Sequence, residues 1–289
     1  MNTMKISDNT KFIYILTSKD PLEARFALDI ARCVIILSGC KGVKLANQTI
    51  VSDTSKGDLA KIQSYLGMVD VIDSSLIYDC IRSVDCDNLF IISSCHGTLY
   101  GIDSKNIIRP HDFINAIKEN SHVKNCVAIL GQCYAGFFNY LDLSCEGKNI
   151  VFIGAAEMRE GLSTVMSWTV NGNKWDWCAN IFIYHFVSWI HKYVDVDNDG
   201  IYSIVDLYKF ISFWTNQRTQ VIEKDEVKKY WDEKIKNEIG KVNTTDSDST
   251  EIDKLDEEAS KDLDDDYIIP HQDCWILNAE AAININIED

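Results

Sequence analysis

The chain has 289 residues, 46% hydrophobic and 25% charged, the balance of a soluble globular protein that can bury a core without staples. Its formal charge of -16, from 44 acidic against 28 basic residues, argues against nucleic-acid backbones and anionic membrane surfaces as partners, because both would repel it. Ten cysteines with no CxxC pair and no regular spacing read as reduced thiols of a cytoplasmic protein, and no signal peptide or membrane span is visible.

Lys11 to Thr17 (KFIYILT) is a short apolar, β-rich run. Asp20-Pro21-Leu22-Glu23 follows, where Asp20 can cap a helix, Pro21 takes its first position and Glu23 closes a capping box. That helix is expected to reach about Leu37 and stop near Gly39. Asn47 to Val51 is a second, weaker strand, while Gly57 to Leu66 and Leu76 to Ser83 read as helices. Three runs of the buried-strand type come next: Asn88 to Ser93 (NLFIIS), Cys126 to Leu130 (CVAIL) and Asn149 to Gly154 (NIVFIG). A helix signal, Asp112 to Asn120, separates the first two. Strand, helix and strand in this order predict a mostly parallel sheet with crossover helices on both faces. Chemistry in such sheets gathers just beyond the carboxyl ends of the strands.

The second half has a different character. Trp177 to Tyr193 and Leu207 to about Glu223 read as helices with an acidic, glycine-containing loop between them, and charged residues Lys224 to Lys241 extend or follow the second. Thr244 to Asp266 carries -9 of the -16 charges and no aromatic residue, the composition of a disordered linker. Apolar residues return at Tyr267 to Pro270 and at Cys274 to Leu277, so the last segment is expected to pack back on the core. The expected division is a core over 1–190, a helical segment with the acidic loop over 191–243, the linker over 244–266 and the returning segment over 267–289.

Beyond the strand at Asn88 stands Ser94-Cys95-His96-Gly97, and beyond the strand at Cys126 stands Gly131-Gln132-Cys133-Tyr134-Ala135-Gly136. Adjacent parallel strands would bring the imidazole of His96 and the thiol of Cys133 to one rim of the sheet. A thiolate is a nucleophile, and an imidazole moves protons near neutral pH. Glycine after His96 would let a substrate carbonyl approach, and the backbone N–H groups of Gly97 and Cys133 are candidate oxyanion donors. Cysteine is also among the most buried residue types, and Cys33, Cys95 and Cys126 read as core residues.

The segments NLFIISSCHG and CVAILGQCYAG resemble the cysteine peptidases that include legumains, caspases, metacaspases and gingipains, most closely the legumain-like branch. The resemblance covers Lys11 to about Ile190. It implies a caspase-like α/β three-layer sandwich, a His96–Cys133 dyad and a protein or peptide substrate. Asn149 to Glu157 looks like the family strand whose end helps form the pocket for the residue before the cut. Caspases place Gln two residues before the nucleophile, whereas this chain has Gly131 there, so aspartate specificity is not carried over. Glu157, Glu160 and Asp176 are acidic pocket candidates that would favour a basic side chain, although each also reads as a solvated surface charge.

Asp195-Val-Asp197-Asn-Asp199-Gly200-Ile201-Tyr-Ser203-Ile-Val-Asp206 matches a calcium-binding loop of the EF-hand or dockerin kind. Asp195, Asp197 and Asp199 would supply carboxylates, Ile201 a carbonyl, Ser203 a hydroxyl or bridging water, and Asp206 the last carboxylate. EF-hands usually carry Glu at that last position, and the competing reading is an acidic turn in which Asp206 caps the next helix. Together the motifs predict a cysteine endopeptidase, with calcium ordering the second half. The rivals are a transamidase or ligase using the same dyad, and an inactive calcium-binding interaction module. The acidic linker is a candidate site of self-cleavage.

Overall fold

The computed structural model describes residues 2–6, 9–17, 24–53, 69–161, 163–170, 173–221 and 272–288, with the backbone alone for 2, 3, 24, 163–170 and 173–179. The helix expected at Gly57 to Leu66, the capping box at Asp20 to Glu23, the linker and Tyr267 to Pro270 lie outside these residues. The chain divides into two units, one of residues 1–216 with 272–289 and one of 217–271.

In chain order the first unit holds β1 (Asn2–Lys5), β2 (Thr10–Leu16), α1 (Ala24–Ile35), β3 (Gln48–Ser52), β4 (Asp70–Asp73), α2 (Ile77–Arg82) and β5 (Asn88–Ser93). The short strands β6 (Gly97–Thr98) and β7 (Gly101–Ile102), α3 (Pro110–Glu119), β8 (Asn125–Leu130) and β9 (Asn149–Gly154) follow. Next come β10 (Ser163–Val170), β11 (Asn173–Asn180) and α4 (Ile181–His191), then a helix α5 over residues 204–221, of which 204–216 belong to this unit. The returning segment forms β12 (Trp275–Leu277), α6 (Ala279–Ile283) and β13 (Ile285–Glu288).

Seven strands form the central sheet in the order β12-β9-β8-β5-β2-β3-β4. All its pairings are parallel except that of β12, which runs antiparallel along β9 with Trp275 opposite Gly154. Side chains alternate between the two faces of the sheet, and each face carries its own apolar cluster. Phe12, Tyr14, Phe90, Ile92, Val127, Ile129, Val151 and Ile153 pack with α1, α4 and the first turns of α5. Ile13, Ile15, Leu89, Ile91, Cys126, Ala128, Leu130, Ile150 and Phe152 pack with α2 and α3. The result is an α/β sandwich of three layers around a mostly parallel sheet, as expected. Both faces are covered, which is why the strands read as unbroken apolar runs.

Polar side chains tie off the helix ends on the α2–α3 face. Asn120 donates from Nδ2 to the carbonyls of Ile81 (2.9 Å), Arg82 (3.0 Å) and Val84 (2.8 Å), closing α2. Lys148 donates to the carbonyls of Ile117 (3.1 Å), Lys118 (2.9 Å) and Asn120 at the end of α3, where a cation suits the helix dipole. At the amino ends of the strands Asn149 donates to Asn125 and Asn125 to Asn88, both at 2.9 Å, a ladder across three neighbours.

The helix expected from Trp177 begins later. Residues 173–180 form β11, paired antiparallel with β10 (Ser163↔Asn180), and Asn180 caps α4 by accepting from Phe182 N (3.0 Å) and Ile183 N (3.3 Å). Periodicity alone does not separate aromatic-rich strand from aromatic-rich helix, and the Asn before Ile181 is the local signal of the true start.

The nine described cysteines are free thiols. Burial pushes the thiols of Cys33 and Cys126 far above the ordinary range and those of Cys95 and Cys274 up to about 12. Unfolding returns each to about 8.5, so the folded state holds these protons more tightly. That stability is fully present below the unfolded value and is lost as pH rises toward the folded one. Urea unfolding is therefore expected to show a loss of about 2 kcal/mol per buried thiol between roughly pH 8 and pH 10. Cys126→Ala should make the pH slope shallower.

Candidate active site

The register of the central sheet brings the two motifs together. Ser93 and Leu130, the last residues of β5 and β8, are paired, and His96 and Cys133 each stand three residues further on. Alternation continued past the strand ends puts both on the face that carries α1. Two features agree with that parity. The ring of His96 meets Phe26 of α1 edge-on, with centroids 4.9 Å apart, and the charge of Arg25, the neighbouring residue, reaches Cys133. Cys95 falls on the opposite face, 2% exposed within the α2–α3 cluster, as a core residue should.

The two turns touch through their backbones. A Cβ on Gly97 would lie 1.8 Å from the carbonyl oxygen of Cys133 and 2.8 Å from Cγ of Gln132. Glycine at 97 is thus demanded by the backbone of Cys133, a tighter reason than the approach of a substrate. Hydrogen bonds complete the seam. Gly131 N donates to the backbone oxygen and the Oγ of Ser93, both at 3.1 Å, and the Ser93 hydroxyl donates to Gln132 Oε1. On the far side of the His96 turn, Asp103 N donates to the His96 carbonyl at 3.0 Å.

The segment after β9 lies against the Cys133 turn. Tyr134, in the left-handed region at φ 56°, donates from N to Arg159 O at 2.7 Å, and Gly136 N donates to Glu157 O at 3.1 Å. Gly161 N donates to the Cys133 Sγ at 3.3 Å. The thiol is half-buried, and burial raises its pKa above the ordinary value. The Gly161 N–H and Arg25 oppose that rise, and Glu160 adds to it. Of the acidic pocket candidates, Glu160 is therefore close enough to be felt at Sγ. Glu157 contributes its backbone oxygen, and both side chains are exposed. Asp176 sits in β11 opposite Ser167, with its side chain outside the described residues.

Residues that the sequence did not mark hold the rim in place. Asp29 of α1, 2% exposed, accepts from Ser94 Oγ (3.0 Å) and from Asn180 N (3.1 Å). Asn180 donates from Nδ2 to Gly131 O at 2.5 Å. No local pattern flags Asp29, because an acid within a helix is ordinarily a solvated one.

The acidic loop forms a separate cluster. Asp195, Asp197 and Asp199 bring carboxylate oxygens within 4.8 Å of one another, around a turn with Asn198 and Gly200 in the left-handed region. Asp195 accepts from Gly200 N (2.8 Å), and Asp197 pairs with Lys209 at 2.6 Å, which holds its carboxyl below the usual range. Hard oxygen donors converging on a tight loop suit calcium. Asp206, expected as the last ligand, stands apart from the three. One oxygen accepts from Val196 N (2.9 Å), and the other accepts from Ser203 N (2.9 Å) and Ser203 Oγ (2.6 Å). With Asp206 N bonded back to Ser203 Oγ, these two residues form a capping box at the start of α5.

No family model matches the sequence, and no curated protein matches it either. Among solved structures, one similar to this chain is a secreted C11 cysteine protease from Bacteroides thetaiotaomicron, determined in complex with an irreversible peptide inhibitor. The identity is 11% and the TM-score 0.29, over 52% of this chain and 49% of that one, so the match spans about half of that protease's length. Likeness at that level carries no argument about chemistry, which rests on the residues above. Among the described residues no helix is long and apolar enough to cross a membrane.

Because a Cβ at 97 has no space, Gly97→Ala should part the two turns. Overpacking of this kind costs about 1–3 kcal/mol. The loss should appear in urea unfolding, together with altered reactivity of Cys133 toward iodoacetamide in the folded protein.

Proposed function

We propose that this chain is a cysteine endopeptidase of the caspase-like kind, with Cys133 as nucleophile and His96 as its proton carrier. The observation that supports this reading most is the shared register of the two residues past paired, parallel strands, on one face of the sheet. The half-buried thiol is held protonated, so the proton must leave as attack proceeds, a task suited to an imidazole.

In the proposed sequence Sγ adds to a peptide carbonyl carbon while the S–H proton passes to His96. The oxyanion is met by the N–H groups of Gly97 and Cys133, each worth about 3 kcal/mol where such donors are aligned. Collapse breaks the C–N bond, and His96 protonates the departing amine. Water then adds to the thioester with His96 taking its proton, releasing the acid and restoring the thiol. An amine in place of water would give the transamidase or ligase outcome, so products formed with and without added amine distinguish the two. The legumain-like branch and a cytoplasmic location rest on the sequence motifs and the free thiols. Glu160, with Glu157 and Asp176, would favour a basic residue before the cut.

Labelling with a peptide acyloxymethyl ketone library should modify the wild type and not Cys133→Ala. His96→Ala should lower peptide hydrolysis by about 10²–10⁴-fold, the usual scale for an acid–base group. Wild-type labelling that survives in Cys133→Ala would sink the assignment.

A calcium ion in the loop is the second part of the proposal, supported by the three converging carboxylates. Asp195, Asp197 and Asp199 would hold it with the Ile201 carbonyl, and Ser203 and Asp206, bonded to each other at the start of α5, would complete the set. The ion would order the loop and takes no part in the steps above. Saturating calcium should raise the unfolding temperature, in line with about 2.7 kcal/mol at a hundredfold excess over Kd. A chelator should reverse the rise, and Asp199→Asn should abolish it.

A further inference from the structure

Two rim turns have to keep a fixed separation for an imidazole and a thiol to work together, and both are tied to one buried polar pair. On the His96 side, the Oγ of Ser94, two residues before the histidine, donates to Asp29 Oδ2 at 3.0 Å. On the Cys133 side, the carbonyl of Gly131, two residues before the cysteine, accepts from Asn180 Nδ2 at 2.5 Å. Asn180 N closes the circuit by donating to the same Asp29 Oδ2 at 3.1 Å. The chain of bonds therefore runs from one turn through α1 and the head of α4 to the other turn.

Both linking side chains are out of water, Asp29 at 2% and Asn180 at 6% exposure. A buried carboxylate is costly unless its acceptors are used, and two of the bonds this one accepts come from the rim. Asn180 is anchored in turn, because its Oδ1 accepts from Phe182 N and Ile183 N as the cap of α4. Its side chain is thereby aimed, leaving the amide group to hold Gly131. The side chain of Ile183 lies 2.8 Å from where a Cβ on Gly131 would stand, so α4 presses on the same turn.

We propose that Asp29 and Asn180 are positioning residues that set the separation of His96 and Cys133; this rests on the dyad reading above. They touch neither substrate nor the reacting atoms and act through Ser94 and Gly131.

The test is a double-mutant cycle on thiol reactivity in the full chain. Alkylation of Cys133 by iodoacetamide is followed across pH by peptide mass spectrometry, with exposed Cys40 as internal reference. Asn180→Ser keeps a good cap for α4 while being too short to reach Gly131. In the wild type, His96→Ala should slow Cys133 alkylation at neutral pH by about tenfold, because the imidazole no longer takes the thiol proton. In the Asn180→Ser background the same change should alter the rate less than about twofold, the coupling having been lost. General loosening would change Cys133 reactivity alike with or without His96 and leave the coupling intact. Asp29→Ala, which removes the oxygen that accepts from both Ser94 Oγ and Asn180 N, should behave as Asn180→Ser does and carries the test if the serine variant fails to fold.

An undiminished effect of His96→Ala in both backgrounds would overturn the positioning role and leave the dyad standing. No effect of His96→Ala in the wild type would remove the dyad and this inference with it. Neither readout needs a substrate, so an absence of peptide cleavage does not bear on the positioning result.

Discussion

The contact between Gly97 and the backbone of Cys133 organises the carboxyl end of the central sheet. Parallel pairing of β5 with β8 brings two turns out of the sheet side by side, and there is no room between them for a single carbon atom. A seam that tight fixes the direction of both chains as they leave the strands. It converts pairing deep in the core into a defined relation between residues 37 positions apart in sequence. Both strands are fully buried, so the register that sets this relation is held by apolar packing on two faces.

Around the seam the structure spends its buried polar groups. Ser93 and Gln132 bond across it from the α2–α3 face, while Ser94, Asp29, Asn180 and Gly131 bond around it on the α1–α4 face. The Asn88–Asn125–Asn149 ladder sits at the opposite end of the same strands. Each of these bonds satisfies a group that burial would otherwise make costly.

The returning segment reaches the site and the acidic loop alike. Its strand β12 covers the β9 edge, where the Trp275 ring fills the space a Cβ on Gly154 would need. Trp275 Nε1 donates to Ala156 O at 2.9 Å, and Asp273 pairs with Arg159, in the same stretch whose carbonyls and Gly161 N–H hold the Cys133 turn. Further on, β13 pairs with β1, Ile287 N donates to Tyr202 O at 2.7 Å, and Asn286 bridges to Ser203. One short run of chain therefore braces the strap beside the thiol and the end of the loop that carries the three carboxylates.

Local chemistry was enough to determine the buried strands, the crossover helix after the His96 motif and the two motifs themselves. Each of these is written in consecutive residues: apolar runs long enough for a strand, Pro110 at a helix start, His-Gly and Cys after strand ends, carboxylates at alternate positions. The same local reading offered Asp206 as ligand and as cap, and the hydrogen bonds of the cap are set by the tertiary structure, because Val196 and Ser203 come within reach of its oxygens once the loop is closed. It also changed the reason for Gly97, moved the start of α4 to Ile181 and brought Asp29 and Asn180 to the rim. Those outcomes depend on contacts between segments far apart in sequence. A residue's type and its immediate neighbours carry no record of which distant backbone will be packed against it.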